Sequence, residues 1–155
     1  MNSYYNNLPR KRMGAGALFF NKDNELLIVK PSYKDYWSIP GGTVDQDESP
    51  RHACAREIKE EIDLDIDTLR FLAVDYNSLE NKEKNESLQF IFYGGVLGDE
   101  SISKIKIDGK ELIEYRFVPI SEAKNLLGQK LATRLPKCID AIKTGTSVYL
   151  ENGEF

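Results

Sequence analysis

Three glutamates crowd one short stretch. In GGTVDQDESPRHACAREIKEEIDL, residues 41–64, Glu57, Glu60 and Glu61 stand three and four positions apart. On a helix such positions share a face, and each like-charge pair costs about 0.2–0.5 kcal/mol. Something must offset that repulsion, and two arrangements do. A solvated acidic face needs no ligand: Arg56 and Lys59 act as partial counter-charges, with Arg56 reaching Glu60 at four-residue spacing. Alternatively, the carboxylates hold a hard cation. Mg²⁺ or Mn²⁺ prefers oxygen ligands and is held by a few carboxylates together with substrate phosphates and water.

The elements that must position these side chains can be read from period and punctuation. Residues 13–20 (MGAGALFF) read as a strand, NKDN at 21–24 as a turn, and residues 25–30 (ELLIVK) as the partner strand of a hairpin. A loop, KPSYKDY, leads to a short extended piece at 37–39, which Pro40 and the Gly41-Gly42 pair terminate. Ser49-Pro50 is a helix start, with Ser49 as N-cap and Pro50 in the first helical position. The helix runs to Ile62, with Cys54, Ala55, Ile58 and Ile62 on its core side and the three glutamates on a face beside it. Ile62, Leu64 and Ile66 then alternate with aspartates at strand period. Further strands are expected over 69–77, 87–97 and 115–119, a polar loop over 77–85, and a loop over 98–110. Helices are expected from Ser121 and over 131–143, with Pro136 near the start of the last one. Strands and helices mix without regular alternation, so the fold class is α/β (α+β): a mixed sheet sandwiched between helices. Residues 1–11 are expected as a flexible arm and residues 12–155 as one domain.

Composition narrows the function. The chain has 155 residues, 41% hydrophobic and 30% charged, enough for a single core. A net charge of −4 and a pI near 5.2 argue against a nucleic-acid surface, which calls for a basic stripe. An acidic protein that handles an anionic substrate needs local help from a cation. Cys54 and Cys138 fit no disulfide or metal spacing and read as free, buried thiols, in keeping with a reducing cytoplasm. No apolar run reaches membrane-spanning length, and the polar N-terminus does not read as a signal peptide.

The context around the glutamates then resembles the Nudix box: Gly, five residues, Glu, seven residues, Arg-Glu, an apolar residue, any residue, Glu-Glu, any residue, Gly and a final apolar residue. Here Gly42 is followed after five residues by Glu48, and seven residues later come Arg56, Glu57, Ile58, Lys59, Glu60 and Glu61, with Leu64 in the last apolar place. Asp63 stands where the pattern has its last Gly. Asp is among the better non-Gly residues in the left-handed conformation, so a local cost is expected there and no loss of function. WSIPGG, ahead of the box, also resembles the family's approach to it.

The resemblance implies a MutT-like Nudix hydrolase, in which divalent metal and water cleave the pyrophosphate linkage of a nucleoside diphosphate derivative. It implies Glu57, Glu60 and Glu61 as metal ligands and catalytic carboxylates for Mg²⁺ or Mn²⁺, with the Gly41 carbonyl as a further ligand. Gly42, Glu48 and Arg56 follow as structural support, Glu48 and Arg56 pairing to tie loop to helix. A carboxylate from outside the box often joins. DGKELIEYRFVP resembles the segment that carries it, and spacing to Phe117 favours Glu111 as ligand or base over Glu114. Lys30 matches a place where members carry a basic residue for substrate. Tyr33, Tyr36 and Tyr76 can stack on a base, and His52 is expected to be exposed and inert.

The partner implied is a small nucleotide, with neither nucleic acid nor membrane. Leu79, Glu80, Asn81 and Lys82 occupy the subfamily marker positions and carry neither the Pro of ADP-ribose enzymes nor the Tyr of diadenosine polyphosphate enzymes. The chain also shows no long N-terminal extension. A nucleoside triphosphate is therefore the expected substrate. The alternatives are an ADP-ribose or nucleotide-sugar pyrophosphatase, or a non-catalytic nucleotide-binding regulatory domain.

Overall fold

The computed structural model describes residues 3–79 and 86–155. Most of the polar loop expected before the 87–97 strand, and the marker positions Glu80, Asn81 and Lys82, lie outside the described residues. One exposed helical turn, α1 (Ser3–Asn6), precedes β1 (Arg12–Phe20) and β2 (Leu26–Pro31). The hairpin forms as its turn residues require. Asn21 Oδ1 accepts from the backbone N–H groups of Asp23 at 3.0 Å and Glu25 at 2.9 Å. Asn24 adopts φ 59°, a left-handed conformation that its short polar side chain tolerates. The chain continues through β3 (Gly41–Thr43), α2 (Pro50–Ile62), β4 (Arg70–Asn77), β5 (Ser87–Val96), α3 (Asp99–Ser103) and β6 (Leu112–Val118). It finishes with α4 (Ile120–Leu126), α5 (Gln129–Thr144) and β7 (Val148–Glu151).

The described strands form one mixed sheet in the order β6-β2-β1-β5-β4-β7, with β3 also paired to β1. β1 runs parallel to β5 and β4 parallel to β7, while the other pairs are antiparallel. Helices cover both faces. Ala15, Ala17 and Phe19 of β1 pack toward Ala53, Cys54, Ile58 and Ile62 of α2. Leu18 and Phe20 point the other way, toward Leu135, Cys138 and Ala141 of α5 and Ala123 of α4. A strand buried on both faces explains why this segment is apolar without alternation. Both cysteines are buried free thiols, and burial pushes each up to about 12, so neither is a nucleophile. No helix among the described residues is long and apolar enough to cross a membrane.

Helix α2 has the ends its sequence dictates. Ser49 Oγ accepts from the His52 N–H at 3.1 Å, and Pro50 occupies the first turn. Asp63 closes the helix with φ 59° and ψ 33°, its N–H donating to the Lys59 carbonyl. Ala53 takes the buried place expected of Ala55, which packs at the edge of the same core.

Other departures trace to long-range pairing. Gly41 and Gly42 do not merely end an extended piece; they are strand residues, because β1 supplies antiparallel partners in Gly16 and Ala15. β6 starts at Leu112 rather than Tyr115, because β2 pairs with it as far as Pro31. Residues 63–69 stay irregular despite their alternation, finding no partner until β4. Within the expected 98–110 loop, Asp99–Ser103 coil into α3. α5 starts at Gln129, which leaves Pro136 inside the helix.

Replacing Asp63 by Gly removes the penalty of a side chain in the left-handed region. Asp63→Gly is expected to raise unfolding stability by up to about 1 kcal/mol, read as a higher urea midpoint at unchanged slope. A lower midpoint would show that the Lys59–Asp63 pair at 3.0 Å outweighs backbone strain.

Candidate active site

Arg56 is the hub of the box. Its Nε and Nη2 donate to the two carboxylate oxygens of Glu48 at 2.7 and 2.9 Å, the fork-on-fork geometry that makes such pairs strong. Nη1 donates to Glu57 at 3.0 Å and to both oxygens of Glu60 at 3.3 Å, and Nη2 reaches the Thr43 carbonyl at 3.2 Å. Loop and helix are thus tied through one guanidinium. Arg56 holds the Glu48 carboxyl down to about 2, and Glu48 in turn pushes Arg56 above its ordinary value. Glu48 also accepts from the Asp45 N–H at 3.1 Å and lies 3.0 Å from Nδ1 of the exposed His52. The helical repulsion is therefore partly offset by Arg56 itself.

Gly41 and Gly42 are shaped by what lies against them. Gly41 has φ 152°, and a Cβ there would come within 2.2 Å of the Ala15 carbonyl. A Cβ on Gly42 would meet the Glu57 carboxylate at 2.4 Å. The two glycines let β3 pass between β1 and the glutamates. The Gly41 N–H donates to Glu61 Oε2 at 3.2 Å. Burial raises the Glu61 carboxyl to about 8, opposed by that hydrogen bond and reinforced by the charges of Glu57, Glu111 and Glu60. Burial also raises Glu57, against the pull of Arg56 and with Glu60 and Glu111 adding to the rise.

Glu111 comes to the same place from the far side of the sequence. Asp108 Oδ1 accepts from the backbone N–H groups of Lys110, Glu111 and Leu112 at 2.9, 3.1 and 3.3 Å. The Glu111 carbonyl accepts from Ser32 at 2.8 Å. The turn that carries Glu111 is pinned on both sides, and its side chain lines the cleft with Glu61. Glu114 goes elsewhere: it sits within β6 and pairs with Arg116 at 2.6 Å, half-exposed.

Lys30 does not line the cleft. Its ammonium caps the carbonyls of Pro31, at 2.9 Å, and Lys34. Lys34 lines the cleft instead, near the rings of Tyr33 and Tyr36, which also line it. The Tyr76 hydroxyl bonds to Glu86.

The cleft measures about 880 Å³ and runs along β1 from the glutamates toward α5. Among the described residues, no three acidic, thiol or imidazole groups stand ready as a closed cation cage. The chemistry of the donors nevertheless fits a hard cation. The charge of Glu111 disfavours ionisation of Glu57, and the charges of Glu57 and Glu111 disfavour that of Glu61; all three offer oxygen. The cleft also has a polar end that no motif announced, made by Asn77, Ser87, Gln89 and Arg134. Two signals were present in the sequence. Arg134 interrupts the apolar face of α5, and Asp75 interrupts an apolar strand; each is buried and they pair at 2.8 Å.

A model of the NUDIX domain matches residues 10–139. A putative 8-oxo-dGTP diphosphatase of Bacillus subtilis (strain 168) is 29% identical over 105 residues, 68% of this chain and 64% of that protein. An RNA pyrophosphohydrolase of Hydrogenovibrio crunogenus is 38% identical over 61 residues, 39% of this chain and 37% of that protein. The match therefore spans less than two-thirds of either relative. The crystal structure of a MutT protein from Methanosarcina mazei Go1 superposes with a TM-score of 0.69 at 21% identity, covering 89% of this chain and 98% of that one, a likeness of fold.

The raised Glu61 carboxyl has a consequence for stability. The folded chain holds this proton more tightly than the unfolded chain does. Its contribution is therefore full below the ordinary value of 4.5 and is lost as pH rises to about 8. In chelator, the stability of wild type relative to Glu61→Gln is expected to fall between pH 5 and pH 8, by up to a few kcal/mol. Urea midpoints at each pH measure it; parallel profiles for the two proteins would remove the effect.

Proposed function

Because the chain belongs to the NUDIX domain family, we propose that it is a pyrophosphohydrolase that cleaves the anhydride bridge of a nucleoside diphosphate derivative, with a nucleoside triphosphate as the preferred substrate. The observation that carries this reading is that Glu61 and Glu111 line one end of a nucleotide-sized cleft beside Gly41 and Gly42, with Glu57 against Gly42 and within electrostatic reach of both. The names borne by the Bacillus and Hydrogenovibrio relatives support the same bond class.

The bridge is polyanionic, and bare carboxylates repel it. Glu57, Glu60 and Glu61, with the Gly41 carbonyl and Glu111, would hold Mg²⁺ or Mn²⁺. Such a cation inverts the local field, polarises phosphoryl oxygens and stabilises charge on the leaving phosphate. The chain's own residues do the rest. Arg56, fixed by Glu48, keeps the helix carboxylates facing the glycine strand. The Gly41 N–H orients the Glu61 carboxylate. Glu111 stands on a turn at the cleft, where it can take a proton from the attacking water.

Glu60→Gln and Glu61→Gln are each expected to lower turnover by at least about a hundredfold with the fold intact. Glu111→Gln is expected to lower kcat by less, with KM nearly unchanged and the acidic limb of the pH–rate profile altered. A screen of nucleotides with Mg²⁺ and Mn²⁺, reading released phosphate or pyrophosphate, supplies the substrate. Wild-type turnover in Glu60→Gln and Glu61→Gln at saturating metal would overturn the assignment.

Native-state binding of Mg²⁺ or Mn²⁺ should also raise the melting temperature by mass action. Joint replacement of Glu57, Glu60 and Glu61 by Gln should abolish that rise. A wild-type melting curve indifferent to both metals would return the cluster to an acidic face neutralised by Arg56.

A further inference from the structure

Arg134 is buried to 6% exposure at the end of the cleft away from the glutamates. Its Nε donates to Asp75 Oδ2 at 2.8 Å, and the other Asp75 oxygen accepts from the Gly153 N–H at 3.0 Å. Asp75 is thereby satisfied. Nη2 has only a long contact of 3.5 Å to Asn77 Oδ1, and Nη1 has no acceptor among the described residues. No fully buried side-chain nitrogen or oxygen among them lacks a partner, so Nη1 is not sealed in; it opens into the cleft that Arg134 lines. A guanidinium carries five N–H donors and no acceptor, whatever its neighbours do. A buried Arg–Asp pair adds little stability over apolar packing, so packing alone gives no reason for an open donor here.

The side chains beside it continue the pattern. Ser87 Oγ accepts from Gln89 Nε2 at 3.1 Å and Asn77 Nδ2 at 3.4 Å, which leaves the hydroxyl proton free to donate. With Gln89 Nε2 committed to Ser87, its Oε1 is left as an acceptor. That oxygen lies over Gly14, where a Cβ would come within 2.3 Å. The sheet register sets the spacing. Gly16 pairs with Gly41 at the carboxylate end, Gly14 with Gln89 and Arg12 with Ser87. Two and four residues along β1 correspond to about 7 and 13 Å, room for a ribose and a phosphate. Ile39, Ile91 and Leu131 line the slot between.

We propose that this end of the cleft reads the base of the nucleotide and selects an oxo group next to a ring N–H, as in hypoxanthine, guanine or uracil, over the amino group of adenine or cytosine. Arg134 and Ser87 donate to the oxo oxygen, and Gln89 Oε1 accepts from the ring N–H. An amino group would point donors at donors, the mismatch that distinguishes base edges elsewhere. The inference rests on the nucleotide reading above, and it assigns the part of the substrate that the carboxylates do not touch.

IMP and AMP differ only in this edge, so they are the probes. Equilibrium binding in chelator is expected to favour IMP over AMP by at least tenfold, and kcat/KM with Mg²⁺ to favour ITP over ATP likewise. Arg134→Lys keeps a charge for Asp75 but has no second arm for the cleft. Gln89→Met is near-isosteric and less exposed to a folding defect. Both are expected to bring the IMP:AMP ratio within about threefold, with the loss falling on IMP. Equal or tighter binding of AMP, failure of either monophosphate to bind, or an unchanged ratio in folded Gln89→Met overturns the proposal. An IMP preference without hydrolysis of any nucleotide would sustain base selection and remove the pyrophosphohydrolase reading. Hydrolysis without base preference would do the reverse.

Discussion

The structure depends on one electrostatic constraint: several carboxylates must be held together in a partly dry place without forcing the fold apart. Arg56 meets that constraint from within the helix. Its fork is committed to Glu48, which is ionised across the useful pH range, and its remaining edge faces Glu57 and Glu60. A lysine in this place would be a point charge and could not span the three partners at fixed angles. The two glycines solve the steric half of the same problem, since any side chain on Gly42 would displace the carboxylate it must sit beside. Glu61, beyond reach of Arg56, is left with a backbone N–H and its neighbours' charge, which is the setting in which a cation gains most from binding.

The second organising feature is the covering of both sheet faces. β1 divides its side chains between the α2 core and the α5 core, so the two helices that bear on the cleft are fixed to one strand. Glu61 reaches the cleft from α2, and Arg134 reaches it from α5. The glycines of β1 leave the floor open between them. Gly14 yields its space to Gln89, and Gly16 lies against Ile39 and the Pro40 carbonyl.

What could be read in advance follows the reach of the interactions. Ser49, Pro50, Glu48, Arg56 and Asp63 act on residues a few positions away; Ser49 and Pro50 placed the start of the helix by residue type, and the resemblance to the box supplied the Glu48–Arg56 pair. The left-handed conformation of Asp63 is of this kind. Glu111 and Glu114 were harder to tell apart, because the answer depends on how β6 registers on β2. Lys30 pairs with Glu114 across those strands, and neither lines the cleft, whereas Val29 and Pro31 do. That alternation becomes visible only when both strands are in place. The polar end of the cleft was out of reach for the same reason. Asn77, Gln89 and Arg134 come from β4, β5 and α5, and although Arg134 interrupts an apolar helix face, nothing in the sequence says that it meets the other two.

The parallel pairing of β1 with β5 also bears on how the chain reaches this state. On this edge Arg12 pairs with Ser87 and Phe20 with Val96, so this side of the central strand waits on a segment far downstream. Closing so large a loop is an entropic toll levied before any contact returns it, and such topologies assemble slowly. In the interval, β1 has its β2 and β3 pairings locally available, yet presents to β5 an edge that is apolar beyond Arg12 and has no partner. An edge of that kind recruits other chains. The strand that carries the cleft floor in the native protein is thus, until β5 docks, open to intermolecular pairing.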